Sequence, residues 1–364
     1  MQLKLNQILI LGAGAIGQVI GTHLRLSGCD VTFWVRESQK PELEKKGLTI
    51  FNIKTETELH ISAPQLLTQI PAEAKYDAIF ICVRSDQLDA ALAQIKSSFA
   101  HLEDMLIIPM QPGRDDALKT FRALSDAIIV PMTPTFSSFA TDTRIEYWAP
   151  KQMPNLVGPP FNETLHVRDE LVRLLQQGGL PTKGVTDIEA ETRIPSAALI
   201  VLMTGLYLAD DSLSKLFKNK ALLNLCAQAI QEAVAIVKKD LGFIPLKYKA
   251  LETISADALQ AFYWSLQRAH LGGFLEKMWK SHAPKVRQQT YLNLEDLLNL
   301  SVSQSKKTPV ALTALAAMTP AKISEYLKSA KHLKQNDSQK MLQLGLSLGF
   351  GALMLWRFIK RRRA

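Results

Sequence analysis

Three glycines near the N-terminus have the spacing of a phosphate-binding turn. Gly12, Gly14 and Gly17 follow an apolar run at residues 7–11 and precede an amphipathic stretch at residues 18–27. In this context the first glycine permits a tight turn, the second lets a pyrophosphate approach the backbone, and the third lets a helix pack on the strand. The free N–H groups of the helix N-terminus also favour an anion there. The pattern therefore predicts a dinucleotide site. Its residues are Gly12, Ala13, Gly14, Ala15, Ile16 and Gly17.

The end of the second predicted strand indicates which dinucleotide binds. Residues 30–35 form this strand, and Arg36 follows where an NAD site usually carries an acid for the ribose 2′-hydroxyl. Because a guanidinium suits a 2′-phosphate, the sequence favours NADP as the cofactor. Glu37 leaves NAD as an alternative cofactor, since a strand that ended one residue later would place an acid at this position.

Further apolar strands alternate with helices through the first half of the chain, which predicts an α/β fold with a doubly wound parallel sheet. Ligands in such sheets lie beyond the carboxyl ends of the strands. Arg84 follows the strand at residues 76–83, and Gln111 and Gly113 follow the strand at residues 105–110. We therefore expect these three residues to line the same cofactor crevice.

The second half of the chain is predicted to be helical, with no confident strand. Its expected helices cover residues 188–209, 221–241, 256–280, 292–303 and 320–331. The sequence thus predicts an NADP-binding Rossmann domain at residues 1–184 and a helical substrate and dimerisation domain at residues 185–327.

The C-terminal end of the chain has the length and composition of a membrane span. Residues 341–359 contain one charged residue, Arg357. They are followed by Lys360 and three arginines. Residues 328–340 form a polar tether. A transmembrane helix is the favoured prediction, and a helix on the membrane surface and a packed soluble helix are the alternatives. A GxxxG pattern between Gly345 and Gly349 would let two such helices approach, which suggests a homodimer.

The formal charge of +9 is concentrated in this tail, because residues 328–364 hold nine Lys/Arg and one acid. The rest of the chain is nearly neutral and lacks interleaved basic and aromatic residues, so no nucleic-acid partner is expected. Three scattered cysteines and seven histidines show no ligand spacing, so no metal site is expected. The cysteine usage fits a reducing cytosol. A strand begins near residue 7 and no signal peptide is recognised, so the body of the protein is predicted to be cytoplasmic.

Together these motifs resemble the ketopantoate reductase (2-dehydropantoate 2-reductase) family over most of residues 7–325. The resemblance implies a Rossmann domain followed by an all-α domain like that of 6-phosphogluconate dehydrogenase. It also implies NADP as cofactor and the reduction of a small 2-keto acid by hydride transfer. By the same resemblance Arg36 binds the 2′-phosphate, and Arg84, at the place of a family lysine, faces the cofactor.

The catalytic side chains of that family are not matched in this sequence. The lysine that acts as general acid corresponds to Ala197 or Ala198, and a family asparagine corresponds to Leu202. Pro112 replaces another asparagine, in the family's glutamine-asparagine-glycine turn. The late Arg-x-Thr-Glu-x-Asp motif is matched only by residues 281–294, which contain Arg287 but lack the acid.

No catalytic residue is therefore assigned, although a general acid contributes about 10²–10⁴-fold to such a reaction. Arg193, one turn before the missing lysine, is a candidate proton donor. Four hydroxyls that follow the strand at residues 127–132 are others: Thr133, Thr135, Ser137 and Ser138.

Two functions of different classes follow from these observations. The first is an NADP-dependent oxidoreductase that acts on a 2-keto acid or a related carbonyl compound. The second is a non-catalytic, membrane-associated NADP(H)-binding sensor or assembly module. An NAD-linked dehydrogenase of the opine or glycerol-phosphate type shares the domain plan but has no motif here in its support.

Overall fold

The structure, a computed structural model, describes residues 5–71, 73–111, 116–158, 165–304 and 309–318. It divides into two compact units, Met1–Arg193 and Ile194–Ala364. The sequence-based boundary after residue 184 lies nine residues before this division.

The described residues of the N-terminal unit form thirteen strands and five complete helices. The strands are β1 (Gln7–Leu11), β2 (Asp30–Trp34), β3 (Leu48–Asn52), β4 (Thr57–Ile61), β5 (Gln65–Leu67), β6 (Ala78–Ile81), β7 (Leu106–Pro109), β8 (Ile128–Ile129), β9 (Met132–Thr133), β10 (Ser137–Ala140), β11 (Ile145–Trp148), β12 (Asn155–Val157) and β13 (Thr182–Gly184). The helices are α1 (Ala15–Leu26), α2 (Lys40–Lys46), α3 (Leu88–Ser98), α4 (Asp116–Ala123) and α5 (Leu165–Gln177).

The main sheet has six strands in the order β5-β2-β1-β6-β7-β8, and every neighbouring pair is parallel. Alternate residues of β1 face opposite sides, as the two-residue period of a strand requires. Ile8 and Ile10 pack with the apolar side of α1, whereas Leu9 and Leu11 pack with that of α3. The sheet is therefore covered on both faces, which confirms the predicted parallel sheet with helices on both sides.

Two smaller sheets complete the N-terminal unit. One has the order β10-β11-β3-β4, and the other has the order β13-β12-β9. The strands β3 and β4, which follow one another in the chain, pair antiparallel. The parallel pairing of β11 with β3 was not anticipated, because the two strands lie far apart in the chain.

The described residues of the C-terminal unit are helical, as the sequence predicts. After α6 (Ile188–Leu208), which spans the division, come α7 (Leu213–Lys218), α8 (Lys220–Leu241), a 3-10 segment at Leu246–Thr253, α9 (Ala256–Arg268), α10 (Gly272–Gln304) and α11 (Val310–Ala317). The prediction of a single helix over residues 256–280 was wrong. The helix is interrupted between α9 and α10, where His270 has a left-handed φ of 59°.

The predicted helix at residues 320–331, the tether and the predicted membrane segment at residues 341–359 lie outside the described residues. Within the described part of the chain, one helix, α8, has the length and hydropathy of a membrane span. Half of its most apolar window is buried inside the protein, and α8 contributes Cys226, Ile230 and Val234 to the core of the C-terminal unit. A core helix passes the same test, so α8 is weak evidence for a span.

Candidate functional site

The three glycines after β1 occupy three different environments. Gly12 has a φ of 101°, which disfavours any side chain, and its N–H donates to Trp34 O at 3.0 Å. A Cβ at Gly17 would overlap the carbonyl oxygen of Gly12, so only a glycine lets α1 pack this closely. A Cβ at Gly14 would meet nothing within 4 Å, and Gly14 is exposed. These environments agree with the tight turn, the helix contact and the open approach that the sequence suggests.

The N-terminus of α1 is suited to an anion. Gly14 is the N-cap and has no side chain to bond the first N–H groups, and the first turn, all of it described, carries no acidic residue. Unpaired N–H groups and the positive end of the helix dipole together favour a phosphate. The turn therefore fits the pyrophosphate of a dinucleotide.

Helix α1 is held in position from its buried side by His23. The ring nitrogen Nδ1 lies 2.7 Å from Gly178 O, and Nε2 lies 3.0 Å from the hydroxyl of Tyr147. Since a carbonyl can only accept, Nδ1 carries the proton and Nε2 accepts from Tyr147. Burial lowers the pKa of His23, which keeps the ring neutral. His23 was not singled out from the sequence, in which the seven histidines show no ligand spacing.

Arg36 lies just beyond the end of β2 and is exposed. Its Nε donates to Gln39 Oε1 at 3.1 Å, and no carboxylate pairs with it among the described residues. The guanidinium is thus oriented by a neutral partner, and within the described part of the chain its positive charge is unpaired. Glu37, the residue that keeps NAD open, is exposed beside it.

Arg84 also follows a strand, β6, but its charge is paired. Its Nε and Nη2 donate to the two carboxylate oxygens of Asp86, each at 2.8 Å. The pairing lowers the pKa of Asp86 and raises that of Arg84. A phosphate would have to compete with Asp86 for this guanidinium.

Gln111 follows β7, but its side chain is bonded within the protein. Its amide nitrogen donates to Ile81 O at 2.9 Å and to Val83 O at 2.7 Å, and its amide oxygen accepts from Met110 N at 3.0 Å. The side chain therefore ties the ends of β6 and β7 together. Gly113, the other predicted residue of this turn, lies outside the described residues, as does Pro112.

The residues at the positions that correspond to the family's lysine and asparagine are apolar, and so are the side chains around them. Ala197 and Ala198 are 1% and 7% exposed and belong to the core of the C-terminal unit, and Leu202 packs against that core. Side chains of these types offer no proton.

Two of the alternative proton donors have structural partners. Arg193 pairs with Glu189 at 3.7 Å on the same helix. The Thr135 hydroxyl donates to Met153 O, and its N–H donates to Asn155 Oδ1 at 2.9 Å. Thr133 lies in β9, and Ser137 and Ser138 lie in β10. These bonds give Arg193 and Thr135 structural roles.

The C-terminal unit contains a second polar cluster, which the sequence analysis found only in part. The Arg287 cluster consists of Tyr207, Asp211, Arg287, Thr290 and Tyr291, in which Arg287 Nη2 donates to Asp211 Oδ2 at 2.6 Å. Arg287 was noted only as part of residues 281–294, which match the late family motif incompletely. Tyr207 and Asp211 lie almost eighty residues earlier in the chain, and no local signal links them to it.

A parallel sheet whose first strand leads through a glycine turn into a helix, with the order β5-β2-β1-β6-β7-β8, defines the Rossmann class of folds. Within that class the chain resembles the ketopantoate reductases. Residues 8–153 match the family model described as ketopantoate reductase PanE/ApbA. The resemblance indicated by the sequence motifs is thereby confirmed.

A curated relative is described as an oxidoreductase. A Bacillus subtilis (strain 168) protein described as uncharacterized oxidoreductase YkpB is 31% identical over 119 residues, which are 33% of this chain and 37% of that protein. The match thus spans little more than a third of this relative.

Solved structures show that the likeness in fold extends into the helical half. The 2-dehydropantoate 2-reductase from Geobacter metallireducens GS-15 has a TM-score of 0.67 and 16% identity, covering 85% of this chain and 97% of that one. The 2-dehydropantoate 2-reductase from Methylococcus capsulatus has a TM-score of 0.64 and 16% identity, covering 90% and 99%. The fold is that of a ketopantoate reductase.

Proposed function

We propose that this chain is an NADP-dependent oxidoreductase that reduces a 2-keto acid or a related small carbonyl compound. The observation that carries the proposal is the open glycine turn at Gly14, which leads into the N-terminus of α1. The exposed, carboxylate-free guanidinium of Arg36 beyond β2 supports NADP over NAD.

The residues at the ends of the strands have different tasks in this proposal. The first N–H groups of α1 bind the pyrophosphate, and Gly17 sets the depth at which the helix lies. Arg36, oriented by Gln39, binds the 2′-phosphate. The bound cofactor supplies a hydride, which together with one proton converts a carbonyl into an alcohol. Arg84 contributes less than its position suggests, because Asp86 already neutralises it.

A second candidate is a non-catalytic NADP(H)-binding module, and one observation favours it. The positions that match the family's lysine and asparagine hold Ala197 or Ala198 and Leu202, and these side chains belong to or pack against an apolar core. The reductase oxidises NADPH when a carbonyl substrate is present, whereas the module only binds NADPH. A panel of 2-keto acids that leaves NADPH unoxidised, although NADPH binds, supports the module and contradicts the reductase.

The cofactor assignment is tested by titrating NADPH and NADH fluorescence with the wild type and Arg36→Ala. We expect Arg36→Ala to weaken NADPH binding by about 10–100-fold, the range for a lost charge-assisted hydrogen bond, and to leave NADH binding nearly unchanged. Arg25→Ala, an exposed arginine in the last turn of α1, is the matched control. Equal losses for both cofactors would contradict the 2′-phosphate role, and no binding of either would contradict the proposed function.

We further propose that residues 1–184 bind the cofactor, that residues 185–327 bind substrate and form a dimer, and that residues 341–359 anchor the protein to a membrane beyond the tether at residues 328–340. The support for the anchor is the apolar composition of the segment and the basic residues after it. The body is then cytoplasmic. The GxxxG pattern of the anchor is the support for a homodimer.

A further inference from the structure

Three large apolar side chains of the C-terminal unit are strongly exposed. Leu246 is 85% exposed, Val310 is 77% exposed and Val302 is 72% exposed, and no other large apolar side chain in the described part of the chain is exposed to this extent. Single exposed apolar residues are ordinary on a protein surface, but a group of them at one place marks an interaction site. The positions of these three residues therefore decide whether they can act together.

All three residues lie around the last turns of α8. Gln304, close to Val302 at the end of α10, donates from its side-chain nitrogen to Ile236 O at 3.1 Å. The carboxylate of Glu232 accepts the N–H groups of the first three residues of α11, of which Val310 is the first. These bonds bring the end of α10 and the start of α11 to residues 232–241 of α8, which extend about 15 Å.

Leu246 faces outward because of the way in which α8 ends. Gly242 terminates the helix with a left-handed φ of 80°, and Pro245 leads into the 3-10 segment whose first residue is Leu246. Tyr248 of this segment packs against the core of the C-terminal unit, whereas Phe243, before the segment, is 49% exposed. The Leu246 surface consists of Phe243, Leu246, Val302 and Val310.

Lysines surround the Leu246 surface. Residues 236–252 contain four lysines and two acids, and one of these acids, Glu252, is paired with Lys238 at 2.6 Å. Lys247 and Lys249 follow Leu246 directly in the chain and are exposed. Exposed apolar side chains among lysines are typical of a site that binds an anionic membrane surface.

An anionic lipid bilayer matches both properties of this surface. Apolar side chains can enter the boundary between headgroups and acyl chains, and lysines can reach the anionic headgroups above it. A second copy of the chain would instead bring lysines against lysines. The chain also carries its own proposed membrane anchor at residues 341–359, with basic residues after it.

We propose that the Leu246 surface and the lysines around it dock on the surface of an anionic membrane. The anchor alone does not produce this contact, because residues 319–340 can extend about 75 Å between α11 and the anchor. The anchor does keep the surface at a high effective concentration near the bilayer, so a weak contact is sufficient. The docking surface goes beyond the proposed function and shares with it only the membrane anchor.

Dye-labelled cysteines in the full-length protein test this contact. Val302→Cys and, as the control in the N-terminal unit, Met153→Cys each carry a polarity-sensitive dye at an exposed position. The protein is reconstituted into vesicles of phosphatidylcholine, or of equal parts phosphatidylcholine and phosphatidylglycerol, that contain a nitroxide-labelled lipid. Cys29 and Cys226 are buried, and wild type treated with the dye provides the blank. We expect the lipid to quench the dye at position 302 in anionic vesicles and to leave the dye at position 153 unquenched.

Further substitutions separate the apolar contact from the charge. In the protein labelled at position 302, Leu246→Ser should shift docking about 10–100-fold towards the undocked form, the range for the burial of one leucine side chain. Lys247→Gln combined with Lys249→Gln should shift it about 25-fold, since each lysine contributes about fivefold at an anionic surface. Leu118→Ser, at an exposed leucine of α4, is the matched control and should leave the quenching unchanged. Thermal unfolding establishes that the variants are folded.

The outcomes separate the docking surface from the proposed function. A protein that stays in the supernatant with both kinds of vesicle contradicts the anchor and the docking surface together. If it sediments, the docking surface alone is contradicted by equal quenching at positions 302 and 153, by equal quenching in neutral vesicles, or by quenching that Leu246→Ser leaves unchanged. A dye at position 302 that responds to protein concentration without lipid indicates a second copy on this surface and also contradicts it. NADPH titration of the same samples tests the cofactor separately.

Discussion

Charge pairing distinguishes the two arginines that follow strands of the main sheet. Arg36 is oriented by the neutral amide of Gln39, whereas Arg84 is held by both oxygens of Asp86. Both lie within three residues of a strand end, so the sequence directs both to the cofactor, although only Arg36 is expected at the 2′-phosphate. They differ because Arg84 has a carboxylate, that of Asp86, two residues away in the chain. The sequence alone does not show that this carboxylate turns towards the guanidinium.

The glycine turn shows what local sequence can predict at this scale. Three residues within six positions determine their own geometry, so the roles of Gly12, Gly14 and Gly17 follow from spacing alone. Gln111 was placed correctly beyond a strand, but its partners Ile81 and Val83 lie about thirty residues earlier. Whether its amide faces a ligand or the neighbouring strand depends on the fold.

Two alanine substitutions in the turn should have opposite effects. Gly17→Ala should lower the free energy of unfolding by about 1–3 kcal/mol, because the new methyl group overlaps Gly12 O. Gly14→Ala should leave stability unchanged and weaken NADPH binding by about tenfold, because its methyl group would occupy the space proposed for the pyrophosphate.

Urea unfolding and NADPH titration measure the two effects. Gly273→Ala, at an open position in α10, is the control and should change neither cofactor affinity nor core packing. A Gly14→Ala variant that binds NADPH as the wild type does would place the pyrophosphate elsewhere.

At the scale of elements, α1 depends on segments that are distant in the chain. His23 joins the helix to Gly178, just after α5, and to Tyr147 in β11. The strands β10, β11 and β13 have three or four residues each, which carry too little periodicity to be recognised alone, and their pairing partners are distant. The main sheet was predictable because its central strands are almost fully buried apolar runs between helices, whereas the break at His270 between α9 and α10 was not.

The contribution of His23 to stability should depend on pH. Burial lowers its pKa in the folded protein below the ordinary 6.5, so the unfolded chain takes up the proton first as pH falls. The stabilisation is complete above about pH 6.5 and is lost progressively below it, towards the lowered folded value. His23→Leu should lower the free energy of unfolding by about 2–4 kcal/mol near pH 7.5, because Gly178 O and the Tyr147 hydroxyl lose their partner.

Urea unfolding between about pH 5 and pH 8 measures this dependence. The variant should also lose the part of the pH slope that His23 contributes in the wild type. His60→Leu, at an exposed histidine of β4, provides the comparison. An unchanged slope in His23→Leu would show that the ring titrates alike in the folded and unfolded protein.

At the scale of the whole molecule, a Rossmann unit and a helical unit are followed by residues 341–359, whose apolar composition predicts an anchor. The order of apolar residues predicted the two fold classes, because strands and helices have different hydrophobic periods. The apolar composition of residues 341–359 does not distinguish a membrane-spanning helix from a helix on the membrane surface, since a segment of this length can form either.

Fractionation distinguishes these alternatives. The full-length protein should sediment with membranes and resist an alkaline carbonate wash, and a variant that ends at Ser338 should stay in the supernatant. A helix on the membrane surface would sediment but be released by the wash. If the full-length protein remained in the supernatant, the anchor would be wrong.

The contacts of His23 have a consequence for synthesis on the ribosome. The helix α1 leaves the ribosome well before its buried partner Gly178, which is made more than 150 residues later. Nascent chains arrested before that point should therefore have a loosely held first helix. Cofactor capture should begin abruptly once the segment that contains Gly178 leaves the exit tunnel, long before the helical half is finished.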